Sequence, residues 1–167
     1  MNSNKYIEIN NINDLIARDL LESLYSLNQE NSPEVGFIPS IELFSKLFQT
    51  SSLNLLIKYK NKIAGFIICF RENSEYESLN YKYFTQNKEK FLYIDRVVIK
   101  SHYRRMGLGT RVYKYLDEVA AKESLSICCE VNSIPLNKIS LNFHSKNGFI
   151  EVGEKNFGDH SVKYLEK

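Results

Sequence analysis

A basic, glycine-containing turn, Arg104-Arg105-Met106-Gly107-Leu108-Gly109-Thr110, lies between two segments of different periodicity. Before it, the apolar run Phe91 to Ile99 reads as a buried strand. After it, Val112, Leu116, Val119 and Ala120 recur at the spacing of an amphipathic helix. A glycine turn that feeds a helix start leaves several backbone N–H groups without partners and aimed at one point. The positive end of the helix dipole stands behind them, so the turn is suited to a phosphate. Two common phosphate loops are excluded: GxxxxGK followed by Ser or Thr is absent, and Val112 occupies the third glycine of GxGxxG.

The turn does fit the pattern Arg/Gln-x-x-Gly-x-Gly/Ala, and a second set of residues lies downstream of it. Asn137, Ser140, Phe143, Gly148 and Phe149 follow in one register, with Ile139, Phe143 and Phe149 as apolar anchors and Gly148 suited to a left-handed helix stop. With both motifs in this order, the chain resembles the GNAT superfamily of acyl-CoA-dependent N-acetyltransferases. The string YxSxNYxxF followed by FLYIDRVVI, with FHxxxGFxEVG near the end, resembles a bacterial subgroup of predicted acetyltransferases. The resemblance implies acetyl-CoA as co-substrate. Its pyrophosphate would lie on the amides of Arg105 to Thr110 beside Arg104, and its pantetheine along Val97, Val98 and Ile99. Asn137, Ser140 and Phe143 would lie beside that arm. At the position where the family usually has tyrosine, this chain has His144.

Acetyl transfer to an amine needs the amine neutral, whereas a lysine amine has a pKa near ~10.4 and an α-amine near ~8. A general base is therefore useful, an acid helps the departing thiolate, and an N–H at Val97 or Val98 could bond the oxyanion. Glu130, in CCEVN, matches the base in L-E-V-R of ribosomal-protein N-terminal acetyltransferases, although the loop after it is longer here. Asp95 shares strand parity with Val97 and Ile99, unless a bulge upsets it. A salt bridge to Arg96 or Arg71 is the structural alternative for that carboxylate. His144 reads either as acid or base near the sulfur, or as a helix residue bonded to a nearby carbonyl. The base is left open among Glu130, Asp95 and His144.

These residues need a scaffold, and the hydrophobic pattern supplies an alternating order. A short strand at Tyr6 to Ile9 precedes a helical stripe through Ile16, Leu20, Leu24 and Leu27 that ends near Pro33. Ser40 caps a second helix, and Leu53 to Lys60 with Ile63 to Arg71 form a hairpin about Asn61. Segments 91–99, 107–123 and 125–132 make a βαβ unit with parallel strands. A helix from about Asn137 to Lys146 and strands at Phe149 to Glu154 and Ser161 to Leu165 follow. The fold class is α/β (α+β): a central mixed, twisted sheet of about six to seven strands with about four helices, as in GNAT proteins, over a single domain 1–167.

Segment 72–90 is long for a hairpin connection and carries Tyr76, Tyr81, Tyr83 and Phe84. It reads either as a loop walling the acceptor pocket, with Tyr76, Tyr81 and Phe84 on substrate, or as an insertion packed on the core. The 22 basic and 20 acidic residues leave a net charge of +2, which does not point to nucleic acid. Lys100, His102, Arg104 and Arg105 are a small footprint for it. No apolar signal core opens the chain and no run long enough to span a membrane occurs. Of Cys69, Cys128 and Cys129, the adjacent Cys128 and Cys129 lie in an apolar strand and read as buried thiols of a cytoplasmic protein, and the histidines share no metal-ligand spacing with the cysteines. The acceptor, a small-molecule or peptide amine, is not named by the sequence, and a homodimer is left open. The competing function is a non-catalytic acyl-CoA-binding module.

Overall fold

Strands rich in Val, Ile, Leu and Phe with few polar interruptions bury both faces, and that is how they are used here. A computed structural model describes residues 6–13 and 16–167. The first five residues, part of the segment read as lacking a signal core, lie outside the described residues. In chain order the strands are β1 (Ile7–Asn11), β2 (Leu53–Tyr59), β3 (Lys62–Arg71), β4 (Phe91–Ile99), β5 (Ser126–Ile134), β6 (Ile150–Asn156) and β7 (Ser161–Glu166). The helices are α1 (Arg18–Glu30), α2 (Ile41–Thr50), α3 (Leu79–Asn87), α4 (Leu108–Glu123) and α5 (Lys138–Lys146). The seven strands form one mixed sheet in the order β1-β2-β3-β4-β5-β7-β6. Every neighbour pair is antiparallel except β4 with β5, the expected product of the βαβ unit.

Each face carries its own core. On one side α4 lays Leu108, Val112, Leu116 and Ala120 over Leu55, Ile67, Leu92 and Ile94. On the other, Leu24 and Leu27 of α1, Phe44 and Phe48 of α2, and Tyr81 and Phe84 of α3 cover Phe66, Ile68, Phe70 and Tyr93. The β2–β3 hairpin turns at Lys60 and Asn61, both at positive φ (49° and 62°), as a two-residue turn between twisted strands requires. Ser40 caps α2 through its hydroxyl, which accepts from the Leu43 N–H at 3.3 Å.

Three expectations change. Segment 72–90 is not a plain loop: Ser78 accepts from the Tyr81 N–H and starts α3. Ile139, expected as an anchor, is 79 % exposed, and α5 packs through Leu141 and Phe143 instead. Strand β4 is bulged, because Ile68 pairs with Arg96 and Cys69 with Ile94, leaving Asp95 without a partner.

Candidate active site

Strands β4 and β5 pair only from Phe91 with Ser126 to Tyr93 with Cys128, and beyond that point they splay. The wedge between them opens into a cleft of about 580 Å³. Its walls include Ile94 to Val97 of β4, Cys129 to Asn132 of β5, Tyr113 of α4, and Asn137, Ser140 and His144 of α5. Backbone groups on the splayed edge of β4 have lost their ladder partner. The Lys100 N–H donates to Ala64 O on β3 at 2.8 Å, so by strand alternation Val98 also turns its N–H toward β3. The N–H groups of Val97 and Ile99 then face the gap. Of the two donors expected for an oxyanion, this favours Val97 over Val98.

At the end of β4 a short 3-10 turn, Ser101–Tyr103, leads into the glycine turn. Arg105 (φ 60°) and Gly107 (φ 82°) bend the chain so that α4 begins without a side-chain cap. The first intrahelical bond runs from the Arg111 N–H to Gly107 O at 3.0 Å. None of the N–H groups from Arg105 to Thr110 has a protein acceptor among the described residues. Met106 and Leu108 turn their side chains into the core, leaving the backbone outward. At Gly109 a Cβ would stand 3.1 Å from the Phe143 ring, which would have to give by a few tenths of an ångström, so α4 and α5 meet closely across it. The exposed Arg104 guanidinium donates to Ile99 O at 3.0 Å and to Asn31 Oδ1 at 2.5 Å.

Two carboxylates face the opposite side of the wedge, each bonded to a tyrosine. Glu130 Oε2 accepts from Tyr93 OH at 2.7 Å. Burial pushes its carboxyl up to about 7; the charge of Asp95 adds to this, and the Tyr93 and Asn80 hydrogen bonds oppose it. Asp95 accepts from Tyr76 OH and, at 2.7 Å, from Arg96 Nε. Arg96 in turn reaches Asn28 Oδ1 of α1 at 2.7 Å. The expected parity of Asp95 with Val97 and Ile99 is corrected by the bulge. Asp95 and Arg96 both turn toward the α1–α3 face, whereas Val97 and Ile99 pack on the α4 side. Asp95 is thus ion-paired with Arg96, and Arg71 pairs with Glu72 and Glu123.

On the α4 side of the wedge His144 is buried, with Nδ1 2.8 Å from Ser140 O and Nε2 2.8 Å from Tyr113 OH. A carbonyl only accepts, so Nδ1 carries the proton and Nε2 accepts from the phenol. Burial lowers the imidazole pKa, keeping this tautomer neutral. Of the readings made from the sequence, the bond to a nearby carbonyl is present, and with Nδ1–H so committed the Nε2 atom offers a lone pair rather than a proton. Asn137 caps α5, its Oδ1 accepting from the Ser140 N–H at 3.1 Å. Of the three aromatics expected on substrate, only Tyr76 lines the cleft. Tyr81 and Phe84 are corrected to core residues, 2 % and 0 % exposed. Sequence reasoning missed Tyr93 and Tyr113; for Tyr113 the available signal was a tyrosine beside the aliphatic stripe of α4. No group of three or more His, Cys, Asp or Glu among the described residues could hold a metal ion.

A splayed parallel pair, unpaired amides at the adjoining helix start and a half-buried carboxylate in the gap make up an acyl-CoA-dependent acyltransferase scaffold. The model of the acetyltransferase (GNAT) family matches residues 19–149, and the chain belongs to that family. It is an acetyl-CoA-dependent acetyltransferase. Arabidopsis thaliana Naa50, solved with the bisubstrate analogue CoA-Ac-MVNAL, is similar at 17% identity and TM-score 0.70, over 97% of this chain and 98% of that one. The ribosomal-protein-S18-alanine N-acetyltransferase of Escherichia coli is similar at 17% identity and TM-score 0.67, over 96% and 92%. An aminoglycoside 6'-N-acetyltransferase complexed with coenzyme A is similar at 15% identity and TM-score 0.72, over 96% of each chain. At these identities the likeness is one of fold. No curated protein sequence matches the chain. No helix among the described residues is long and apolar enough to cross a membrane.

Proposed function

We propose that this chain transfers an acetyl group directly to a primary amine, with Glu130 as the general base. The observation that carries the reading is Glu130 itself: a carboxyl at the open gap, held by Tyr93, with its pKa raised to about 7. A base poised there is half ionised near neutrality and basic enough to take a proton from an ammonium group. Acetyl-CoA supplies the electrophile, a thioester carbonyl. The unpartnered amides from Arg105 to Thr110 suit its pyrophosphate, and the free N–H groups of Val97 and Ile99 suit an extended amide chain and a carbonyl oxygen. Asn137 and Ser140 shape the α5 wall beside that arm, and Phe143 backs it through Gly109.

The acceptor side is acidic. Glu34, Asp95, Glu130 and Asp159 line the cleft, and Arg96, the one Lys or Arg among the described lining residues, is already paired with Asp95. Such a surface favours a cationic amine over an anionic acceptor. The similar structures include proteins named for a peptide, an alanine and an aminoglycoside acceptor, which supports an amine without choosing among them. The three free, buried cysteines support a reducing, cytoplasmic setting.

A thiol-release assay with acetyl-CoA tests the reading. The panel comprises an alanyl peptide, a methionyl peptide, a lysine-containing peptide, spermidine and an aminoglycoside. At least one amine should raise release clearly above the acceptor-free rate. Tight acetyl-CoA binding with no release from any of them would favour the non-catalytic binding module.

A further inference from the structure

The family-typical tyrosine is absent from α5, yet a phenol stands in the cleft from another helix. Tyr113 comes from α4, is 2 % exposed, and lines the cleft together with His144. Its ring lies edge-on to Phe143, with centroids 5.0 Å apart, and edge-on to His144 at 5.3 Å. Its hydroxyl makes one hydrogen bond, to His144 Nε2 at 2.8 Å. We propose that Tyr113 is the hydrogen-bond donor to the coenzyme sulfur in acetyl transfer, with His144 as the positioning residue that holds the phenol ready. The proposal rests on the transferase reading above.

Three arguments lead there. First, His144 has no proton to give: Nδ1–H is committed to Ser140 O, and Nε2 presents a lone pair. Second, the phenol is the strongest hydrogen-bond donor on this wall, where the Cys129 thiol is only a weak S–H donor. Asn137 and Ser140 offer only amide and alcohol groups, which are weaker donors to an anion. Third, the aryl–oxygen bond is free to turn. A small rotation carries the O–H from Nε2 to an acceptor in the cleft without moving the ring, which α4, α5 and Phe149 pack on their side of the sheet.

In the step itself the amine nitrogen bonds to the acetyl carbon, the C–S bond breaks, and its electron pair stays on sulfur. Glu130 passes the ammonium proton to solvent before attack, takes the second nitrogen proton as the amide forms, and returns it to solvent water, which balances the proton that the thiolate takes up. A thiol has an ordinary pKa near ~8.5 and a phenol near ~10, so the Tyr113 proton stays on oxygen and the sulfur gains a charge-assisted hydrogen bond. The departed thiolate takes its proton from water. The other titratable groups around the phenol are Cys69 of β3 and Cys129 of β5, with His144 on α5. Burial pushes both thiols up and the imidazole down, so all three are neutral.

Calorimetry with coenzyme A and with desulfo-coenzyme A, which has hydrogen in place of the thiol, reads this bond without needing an acceptor. At about pH 9 the thiol is largely ionised, and the natural protein should prefer coenzyme A by roughly tenfold or more. Tyr113→Phe should bring the two ligands to within about twofold while still binding both. An equal preference in protein and variant would overturn the assignment and leave the transferase reading standing. Failure to bind either ligand would overturn both. Should Tyr113→Phe not fold, nitrogen-15 spectra of His144 in the natural protein decide. Coenzyme A, and not its desulfo form, should shift the Nε2 resonance as the phenol leaves it, and an unmoved resonance refutes the proposal.

Discussion

Two tyrosine–carboxylate pairs face the α1–α3 side of the wedge, and they differ in what surrounds the carboxylate. Asp95 has the guanidinium of Arg96 against it, whereas Glu130 has hydrogen bonds from the Tyr93 hydroxyl, the Asn80 amide and a backbone N–H, and no cation beside it among the described residues. Burial without a cation therefore raises Glu130 from 4.5 to about 7. The linkage sign follows: the folded carboxyl binds its proton more tightly than the unfolded one. Its contribution to stability is fully present below about pH 4.5 and is lost as pH rises through about 7. Glu130→Gln keeps an acceptor for Tyr93 and removes the charge. Urea melts should show the variant gaining roughly 1–3 kcal/mol on the natural protein between pH 5 and pH 8. The same difference at both pH values would mean that Glu130 ionises normally. Glu130 was legible in CCEVN, and so was a salt bridge to Arg96 as the alternative for Asp95; the bulge that turns Asp95 to that face was not, because it leaves no mark on an apolar run. The partner of His144 was equally hidden, since α4 and α5 meet only in three dimensions.

At the scale of elements, the strands and α4 were readable because their apolar residues follow one period. Helix α3 was not, for its apolar residues are spread around the axis: Tyr81 and Phe84 enter the core, Tyr83 stacks on Tyr164 at 3.9 Å, and Leu79 is 64 % exposed. Ser78 was the cue, a capping residue just ahead of the helix. A helix that buries Phe84 at 0 % exposure should tolerate its loss poorly. Phe84→Ala should cost about 3–5 kcal/mol, read as a lower melting temperature. Its affinity for coenzyme A should not change, because α3 and the glycine turn lie on opposite faces of the sheet. Loss of affinity at a temperature where the variant is fully folded would place segment 72–90 in the cofactor site instead.

Across the whole molecule, the sheet acts as a partition with one opening. Unpaired amides, α4 and α5 stand on one side of the β4–β5 wedge; Glu130, Asp95, Tyr76 and α1 stand on the other. The antiparallel halves hold each wall, and the parallel pair between them is stitched for only three residues, Phe91 to Tyr93. In the proposed reaction, donor and acceptor approach from opposite faces and meet in the gap. Backbone groups, not side chains, receive the cofactor in this account, so no single substitution tests it as directly as amide hydrogen exchange along the chain. Adding acetyl-CoA should slow exchange at Val97 and Ile99 and at the run from Arg105 to Thr110, with little change in β1, β2 and α2. Binding that leaves those amides exchanging at their free rate, or that protects another region instead, would contradict the account.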